Sequence, residues 1–134
     1  MKIKRLSSVI VLVFLLLIVA CTEKREGKQL FMQKELQKIA MGQDGIEKNY
    51  EKAKQGVEKT KDDYFKGSKE QKAFADAQAK LIVAAAKTGR IEEAERVYQA
   101  AHRSGVANEN VYLARDLAKK IAKEQKKSWL GSFN

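Results

Sequence analysis

Between residues 29 and 127, apolar side chains recur at steps of three and four positions, the spacing that gathers them on one face of an α-helix. Glycines separate these periodic stretches, and the chain contains no proline. Ala, Lys, Glu and Gln, which favour helices, are frequent. The pattern predicts an all-α fold for a domain over residues 29–127, a small bundle of about five helices. The predicted helices are Gln29–Met41, Ile46–Phe65, Lys69–Lys87, Ile91–Arg103 and Glu109–Lys127.

The second and third predicted helices differ in how much of their surface is apolar. The second has a heptad seam formed by Ile46, Tyr50, Ala53, Val57, Thr60 and Tyr64. Because its other positions are mostly charged or polar, we expect this helix to cover a single neighbour. The third contains the run LIVAAA at residues 81–86 and is apolar on nearly all sides there. This distribution predicts that the third helix is the most buried element.

Three local motifs mark predicted helix ends. Ser68 and Gln71 have the spacing of a capping box at the start of the third helix. Gly89 stands where a left-handed residue commonly ends a helix, and it separates the third helix from the fourth. Asn108 precedes the fifth helix and is a favourable N-cap residue. Each motif predicts where the chain changes direction.

The first 20 residues have the pattern of an export signal. Lys2, Lys4 and Arg5 precede the unbroken apolar run VIVLVFLLLIVA at residues 9–20. A helix of that length spans about 18 Å, which is short of the roughly 30 Å hydrocarbon core of a bilayer. We therefore expect a signal peptide over residues 1–20 rather than a transmembrane anchor.

The apolar run ends in the sequence LIVAC at residues 17–21, followed by Thr22. This resembles the lipobox of bacterial lipoproteins, in which a branched apolar residue and a small residue precede a cysteine. The resemblance implies that lipid is attached to the Cys21 thiol, that the chain is cut before it, and that residues 21–28 form the lipidated cysteine and a charged tether. The alternative is an ordinary apolar signal segment that contains a buried cysteine.

The lipobox resemblance also implies a location in the bacterial cell envelope. Thr22, rather than Asp, follows the cysteine, and this implies outer-membrane sorting in a Gram-negative cell. In a Gram-positive cell the anchor would hold the protein on the outer face of the plasma membrane. Membrane contact through the lipid is therefore expected in both cases.

Composition limits the chemistry that this chain can perform. Cys21 is the only cysteine and His102 the only histidine, so we expect no metal site, no Ser-His-Asp arrangement, no catalytic residue and no cofactor apart from the covalent lipid. The formal net charge is +10. We expect no nucleic acid partner for an exported protein, so the charge favours either affinity for anionic envelope surfaces or a simple solvated helix surface.

The segment 80–105 resembles a tetratricopeptide-type helical hairpin. The residues that carry the likeness are Leu81, Gly89, Ile91, Ala94, Tyr98 and Ala101. The resemblance implies two antiparallel helices that approach closely at Ala94, with Tyr98 filling the gap and Ala101 admitting the next helix. The fifth helix would then begin the next unit or cap the stack.

The likeness covers one unit and departs from the repeat pattern at two positions. Val106 stands near the place of the usual proline, and Ala85 stands where a large aromatic residue is common. Repeat stacks usually need three or more units. A generic helical bundle with the same packing therefore remains an alternative.

An aromatic tail occupies residues 128–134, with the sequence SWLGSFN, after two lysines. Trp129, Leu130 and Phe133 exceed what a solvated chain end requires. They predict a docking peptide for a partner or an interfacial membrane anchor. The third interpretation is that the rings fold back over the last helix and close the core.

These features favour a membrane-anchored lipoprotein that acts as a non-enzymatic protein-binding or assembly module of the cell envelope. The build resembles pilotins and accessory subunits of secretion or pilus machinery, at the level of fold. The candidate protein-binding residues are Tyr98, His102, Trp129 and Phe133. For His102 the alternative is a surface role at the C-terminal end of its helix. The alternative functions are a surface-exclusion lipoprotein of a mobile element and an electrostatic binder of anionic envelope polymers.

Overall fold

The computed structural model describes residues 30–125, and this part of the chain is all-helical, without strands. Helix α1 covers residues 30–40. The others are α2 (Ile46–Thr60), α3 (Ser68–Lys87), α4 (Ile91–Arg103) and α5 (Glu109–Glu124). The predicted small helical bundle is thus confirmed.

The chain divides into two compact units, Met1–Met32 and Gln33–Asn134. Residues 30–32 are the described part of the first unit, and the helical body belongs to the second. No helix within residues 30–125 is both long enough and apolar enough to cross a bilayer. The predicted signal peptide (1–20), the tether with Cys21, and the aromatic tail lie outside the described residues.

Helices α3 and α5 run in the same direction. The start of α5 lies beside the middle of α3, where the Asn110 amide donates to Asp76 at 2.8 Å. The end of α5 lies beside the end of α3, where Gln125 donates to the carbonyl of Lys87 at 3.2 Å. Helix α1 also lies beside α3, because Glu35 of α1 pairs with Lys80, in the second half of α3, at 3.0 Å.

Helices α2 and α4 run in the opposite direction to α3. Tyr50, near the start of α2, bonds to Glu93 beyond the end of α3. Tyr64, after the end of α2, stacks on Phe74 in the first half of α3, with ring centroids 5.1 Å apart. The turn between α3 and α4 is only three residues long, at positions 88–90, which makes these two helices an antiparallel hairpin.

Helix α3 is the centre of the core, as its apolar surface predicted. It packs against α2, α4 and α5. All six residues of the run LIVAAA, at positions 81–86, are buried. Many side chains at the helix contacts are small, which lets the backbones approach closely. The fully buried alanines include Ala75, Ala79, Ala94, Ala101, Ala114, Ala118 and Ala122.

Two of the predicted helix ends are confirmed in detail. Gly89 has φ +87°, and the amide of the following Arg90 donates to the carbonyl of Ala85 at 2.8 Å, the pattern of a Schellman motif. At the start of α5, the Asn108 side chain accepts hydrogen bonds from the amides of Asn110 and Val111 at 3.1 Å each. Asn108 is therefore the N-cap that its position predicted.

The predicted capping box is wrong. Ser68 is already the first residue of α3, and the N-cap is Gly67, which makes no side-chain hydrogen bond to the helix. The backbone amide of Gln71 donates to the carbonyl of Gly67 at 3.0 Å. A Cβ on Gly67 would lie 2.9 Å from Oε2 of Glu70. The carboxylate of Glu70 thus lies beside the N-cap. The N-cap and this carboxylate are Gly67 and Glu70, each one residue before the predicted pair Ser68 and Gln71.

The heptad seam of α2 is confirmed in its middle, whereas its first position and the predicted end of the helix are wrong. Tyr50 and Ala53 are buried, and Val57 packs against the core. Ile46 is 40% exposed, because it lies at the end of the bundle, at the turn that joins α1 to α2. The helix ends at Thr60 instead of Phe65, and residues 61–66 form turns. Tyr64 nevertheless packs against the core.

Candidate protein-binding surface

The most distinctive side-chain cluster on the described surface surrounds Tyr98, in the second half of α4. Tyr98 itself is only 5% exposed. Its ring stacks on the imidazole of His102, one helical turn later, with centroids 6.0 Å apart and planes at 20°. Its ring also meets Tyr112 of α5 edge-on, with centroids 6.3 Å apart. The cluster therefore joins two helices.

Arg115 completes the cluster from the first half of α5. Its guanidinium carbon lies 5.6 Å from the ring centroid of Tyr98 and 5.3 Å from that of Tyr112, within range of cation–π attraction. Its Nη1 donates to the hydroxyl of Tyr98 at 3.2 Å, and its Nε donates to Asp116 at 3.2 Å. We call Tyr98, His102, Tyr112 and Arg115 the α4–α5 surface.

Burial and hydrogen bonding act in opposite directions on Arg115. Partial burial lowers its pKa, but the hydrogen bonds to Tyr98 and Asp116 outweigh this effect, and the pKa lies above its ordinary value. The guanidinium is thus a fixed positive charge held by its neighbours. Since arginine in proteins does not lose its proton, this group stays charged and is suited to binding a carboxylate through hydrogen bonds.

The α4–α5 surface is accessible to a partner. Tyr112 is 37% exposed, the side chain of Arg115 is 26% exposed, and His102 is exposed. Arg103, which follows His102, is exposed as well. Exposed aromatic rings beside a guanidinium are characteristic of residues that dominate protein–protein contacts.

A short connection between α4 and α5 sets the geometry of this surface. Gly105 has φ +74°, and the amide of Val106 donates to the carbonyl of Ala101 at 3.2 Å, a second Schellman motif. Val106 is buried, which anchors the connection to the core. The Asn108 cap then starts α5. These local features bring the first turn of α5 beside Tyr98.

Of the predicted binding residues, the structure brings Tyr98 and His102 together. Tyr98 mostly packs between α4 and α5, whereas His102 faces solvent. Cys21, Trp129 and Phe133 lie outside the described residues. Sequence reasoning missed Tyr112 and Arg115. Their three-residue spacing places them on one side of α5, but only the packing of α5 on α4 relates them to Tyr98.

A second polar cluster links α2 to the turn between α3 and α4. The hydroxyl of Tyr50 donates to Oε2 of Glu93 at 2.5 Å, and the guanidinium carbon of Arg90 lies 4.1 Å from the Tyr50 ring centroid. Arg90 also pairs with Glu47 at 3.3 Å. Burial, followed by the hydrogen bond to Glu93, raises the pKa of Tyr50 to about 12. This cluster is structural, because its aromatic ring is buried.

Within residues 30–125, no group of three or more His, Cys, Asp or Glu residues is arranged to hold a metal ion. Comparison of the chain with protein-family models, with curated proteins and with solved structures gave no match. Function is therefore inferred from the residues themselves.

Proposed function

We propose that this protein is a membrane-anchored lipoprotein that acts as a non-enzymatic protein-binding or assembly module of the bacterial cell envelope, of the pilotin or secretion and pilus accessory type. The lipobox resemblance at residues 17–21 supports the anchor. The observation that carries the binding role is the α4–α5 surface, in which the Arg115 guanidinium lies against two tyrosine rings.

The partner that suits this surface is a protein segment with an acidic side chain. Arg115 is held in place by Tyr98, and the exposed Arg103 directly follows His102 in the chain. Asp116 already accepts one hydrogen bond from Arg115, so an incoming carboxylate would compete with it or use the remaining N–H groups. The exposed edge of Tyr112 would pack against apolar atoms of the same segment.

We also propose that α3 and α4 form a tetratricopeptide-like hairpin and that α5 begins the next unit. The shared direction of α3 and α5, with α4 antiparallel, supports this assignment. The full burial of Ala94 and Ala101 agrees with the close approach that the resemblance implies. The α4–α5 surface would then be the end of the stack, where a further helix would pack.

The electrostatic alternative has less support from the helical body. Residues 30–125 carry 19 lysines and arginines against 15 aspartates and glutamates, a formal charge of +4. Several of these charges pair with one another, among them Lys61 with Glu58 and Lys66 with Asp63, both at 2.8 Å. A nearly balanced surface favours a specific contact over general attraction to anionic polymers.

The anchor is tested by mass spectrometry of the protein isolated from bacterial membranes. We expect a fatty-acylated cysteine at residue 21 as the first residue, and Cys21→Ser should leave an uncut, unacylated chain. An intact N-terminus without acyl mass in the wild type would contradict the anchor and the envelope location.

The binding surface is tested with a photoreactive amino acid at Tyr112 in the full chain, in living cells. We expect a crosslink to one envelope protein, and Arg115→Ala should reduce the yield about tenfold, as the loss of one charged hot-spot contact does. Lys120→Ala is the matched control, because Lys120 is an exposed basic residue of the same helix. Equal loss in both variants, or no crosslink, would contradict the assignment.

A further inference from the structure

A carboxylate on α3 accepts hydrogen bonds from two side-chain amides at the start of α5. Oδ1 of Asp76 accepts from Nδ2 of Asn108 at 3.1 Å and from Nδ2 of Asn110 at 2.8 Å. Asn110 is only 8% exposed, so this bond replaces the water that burial removes from its amide. Asp76 therefore joins α3 to both the N-cap and the first turn of α5.

The bond to Asn108 also fixes which way the capping amide points. Oδ1 of Asn108 accepts from the backbone amides of Asn110 and Val111 at 3.1 Å each, which caps α5. An asparagine side chain has one acceptor oxygen and one donor nitrogen. Because Asp76 accepts from the nitrogen, the oxygen faces the helix amides. A reversed amide would set its N–H groups against those of the backbone and its oxygen against the carboxylate.

The start of α5 carries two residues of the α4–α5 surface. The backbone amide of Tyr112 donates to the carbonyl of Asn108 at 3.1 Å. Arg115 follows on the same side of the helix and bonds to Tyr98 of α4 from there. A displacement of the first turn of α5 on α3 would thus move Tyr112 and Arg115 relative to Tyr98.

Helices α4 and α5 share α3 as a common support. Both pack against α3, and Tyr98 is carried by α4. At its far end, α5 is also bonded to α3, where Gln125 donates to the carbonyl of Lys87 at 3.2 Å. The contact at Asp76 is therefore the polar attachment of α5 to α3 at the end where the α4–α5 surface lies.

We propose that Asp76 is a positioning residue for the α4–α5 surface: by bonding to Asn108 and Asn110 at once, it sets where the first turn of α5 lies on α3. Its negative charge also favours the N-terminal end of a helix. Charge alone does not specify a position, whereas two directional hydrogen bonds to one oxygen do. The role of Asp76 in partner binding rests on the proposed function, but its effect on α5 does not.

Nuclear magnetic resonance of the full-length lipidated protein in detergent micelles tests the positioning. The rings of Tyr98 and Tyr112 lie 6.3 Å apart, and their nuclear Overhauser effect reports how α5 lies beside α4. In Asp76→Ala this signal should weaken about twofold or more, because α5 loses two hydrogen bonds that hold it. The signal between Tyr64 and Phe74, which lie 5.1 Å apart, is the internal reference and should not change.

Three further variants separate positioning from charge and from capping. Asp76→Asn keeps an acceptor oxygen without the charge and should retain the wild-type signal. Asn108→Asp keeps the capping oxygen but loses the donor to Asp76, so it should weaken the signal even though α5 remains capped. Glu70→Ala is the matched control, because Glu70 is the other carboxylate of α3 and is half-buried like Asp76. A wild-type signal in both Asp76→Ala and Asn108→Asp would overturn the inference.

Crosslinking in cells tests the consequence for binding. With the photoreactive amino acid at Tyr112, Asp76→Ala should lower the yield about tenfold, as Arg115→Ala does, and Asp76→Asn should restore it. A weakened ring signal with unchanged crosslinking would overturn the role of Asp76 in binding. If the wild type formed no crosslink, the proposed function would be contradicted, and the ring signal alone would decide whether Asp76 positions α5.

Discussion

Arg115 donates a hydrogen bond to the hydroxyl of Tyr98 while its guanidinium lies 5.6 Å from the centre of the same ring. Arg115 lies in the first half of α5, and Tyr98 lies in the second half of α4. The pair therefore closes the junction between the two helices from the solvent side. Arg115 also lies against the exposed ring of Tyr112, so the contact that stabilises the junction is part of the proposed recognition surface.

Truncation of Tyr98 should destabilise the helical body. Tyr98→Ala removes a buried ring between α4 and α5, and we expect a loss of roughly 3 kcal/mol or more in the free energy of unfolding. Tyr98→Phe removes only the hydroxyl that bonds to Arg115 and should cost about 1 kcal/mol. Urea denaturation followed by circular dichroism measures both. Wild-type stability of Tyr98→Ala would contradict the packing described above.

Removal of Arg115 should affect binding more than stability. Arg115→Ala eliminates partly exposed cation–π contacts, so the free energy of unfolding should fall by only about 1 kcal/mol. Arg115→Lys keeps the charge but loses the planar group that lies against two rings, and it should restore partner crosslinking only partly. If Arg115→Lys crosslinked as well as the wild type, charge alone would account for the surface.

Tyr50 should titrate at unusually high pH. Its pKa is raised to about 12 in the folded protein from an ordinary value of 10.0. Since the folded state favours the protonated form, this contribution to stability is complete below pH 10 and is lost as the pH rises towards 12. Ultraviolet absorbance of tyrosinate should show a late step that Tyr50→Phe removes. Persistence of that step in Tyr50→Phe would refute the assignment.

Two glycine substitutions should have opposite effects. Gly56 lies inside α2, and a Cβ there would be 3.8 Å from that of Ala77, an ordinary contact. Gly56→Ala should therefore stabilise the protein by about 1 kcal/mol. Gly105 has φ +74° with open space around it, so Gly105→Ala should destabilise by roughly 1 kcal/mol through backbone strain alone. Thermal unfolding compares the pair, and a shared direction of change would contradict this reasoning.

Local sequence predicted the elements best where short-range interactions decide them. The bounds of α4, the N-cap at Asn108 and the left-handed Gly89 follow from residues within one turn of each helix end. The burial of residues 81–86 also followed from composition, because a helix that is apolar on all sides has no solvent face.

The predictions for α2 were wrong where packing against distant residues, and not the local apolar spacing, decides the structure. Tyr64 continues the apolar spacing of α2, but it contributes to the core by stacking on Phe74 after the helix has ended. Ile46 fits the same seam, yet it lies where the bundle ends and remains exposed. Periodicity records which side chains are apolar, and it does not record how far the neighbouring helix extends.

By itself the sequence determined that residues 30–125 are all-α, most of the helix starts within this part, and its most buried helix, because backbone propensity, capping and apolar spacing act over short distances. Only the tertiary structure decided that Tyr98, Tyr112 and Arg115 form one surface and that the start of α5 lies beside Asp76 of α3. Both relationships join residues on different helices, and their positions depend on how side chains of the whole core pack together.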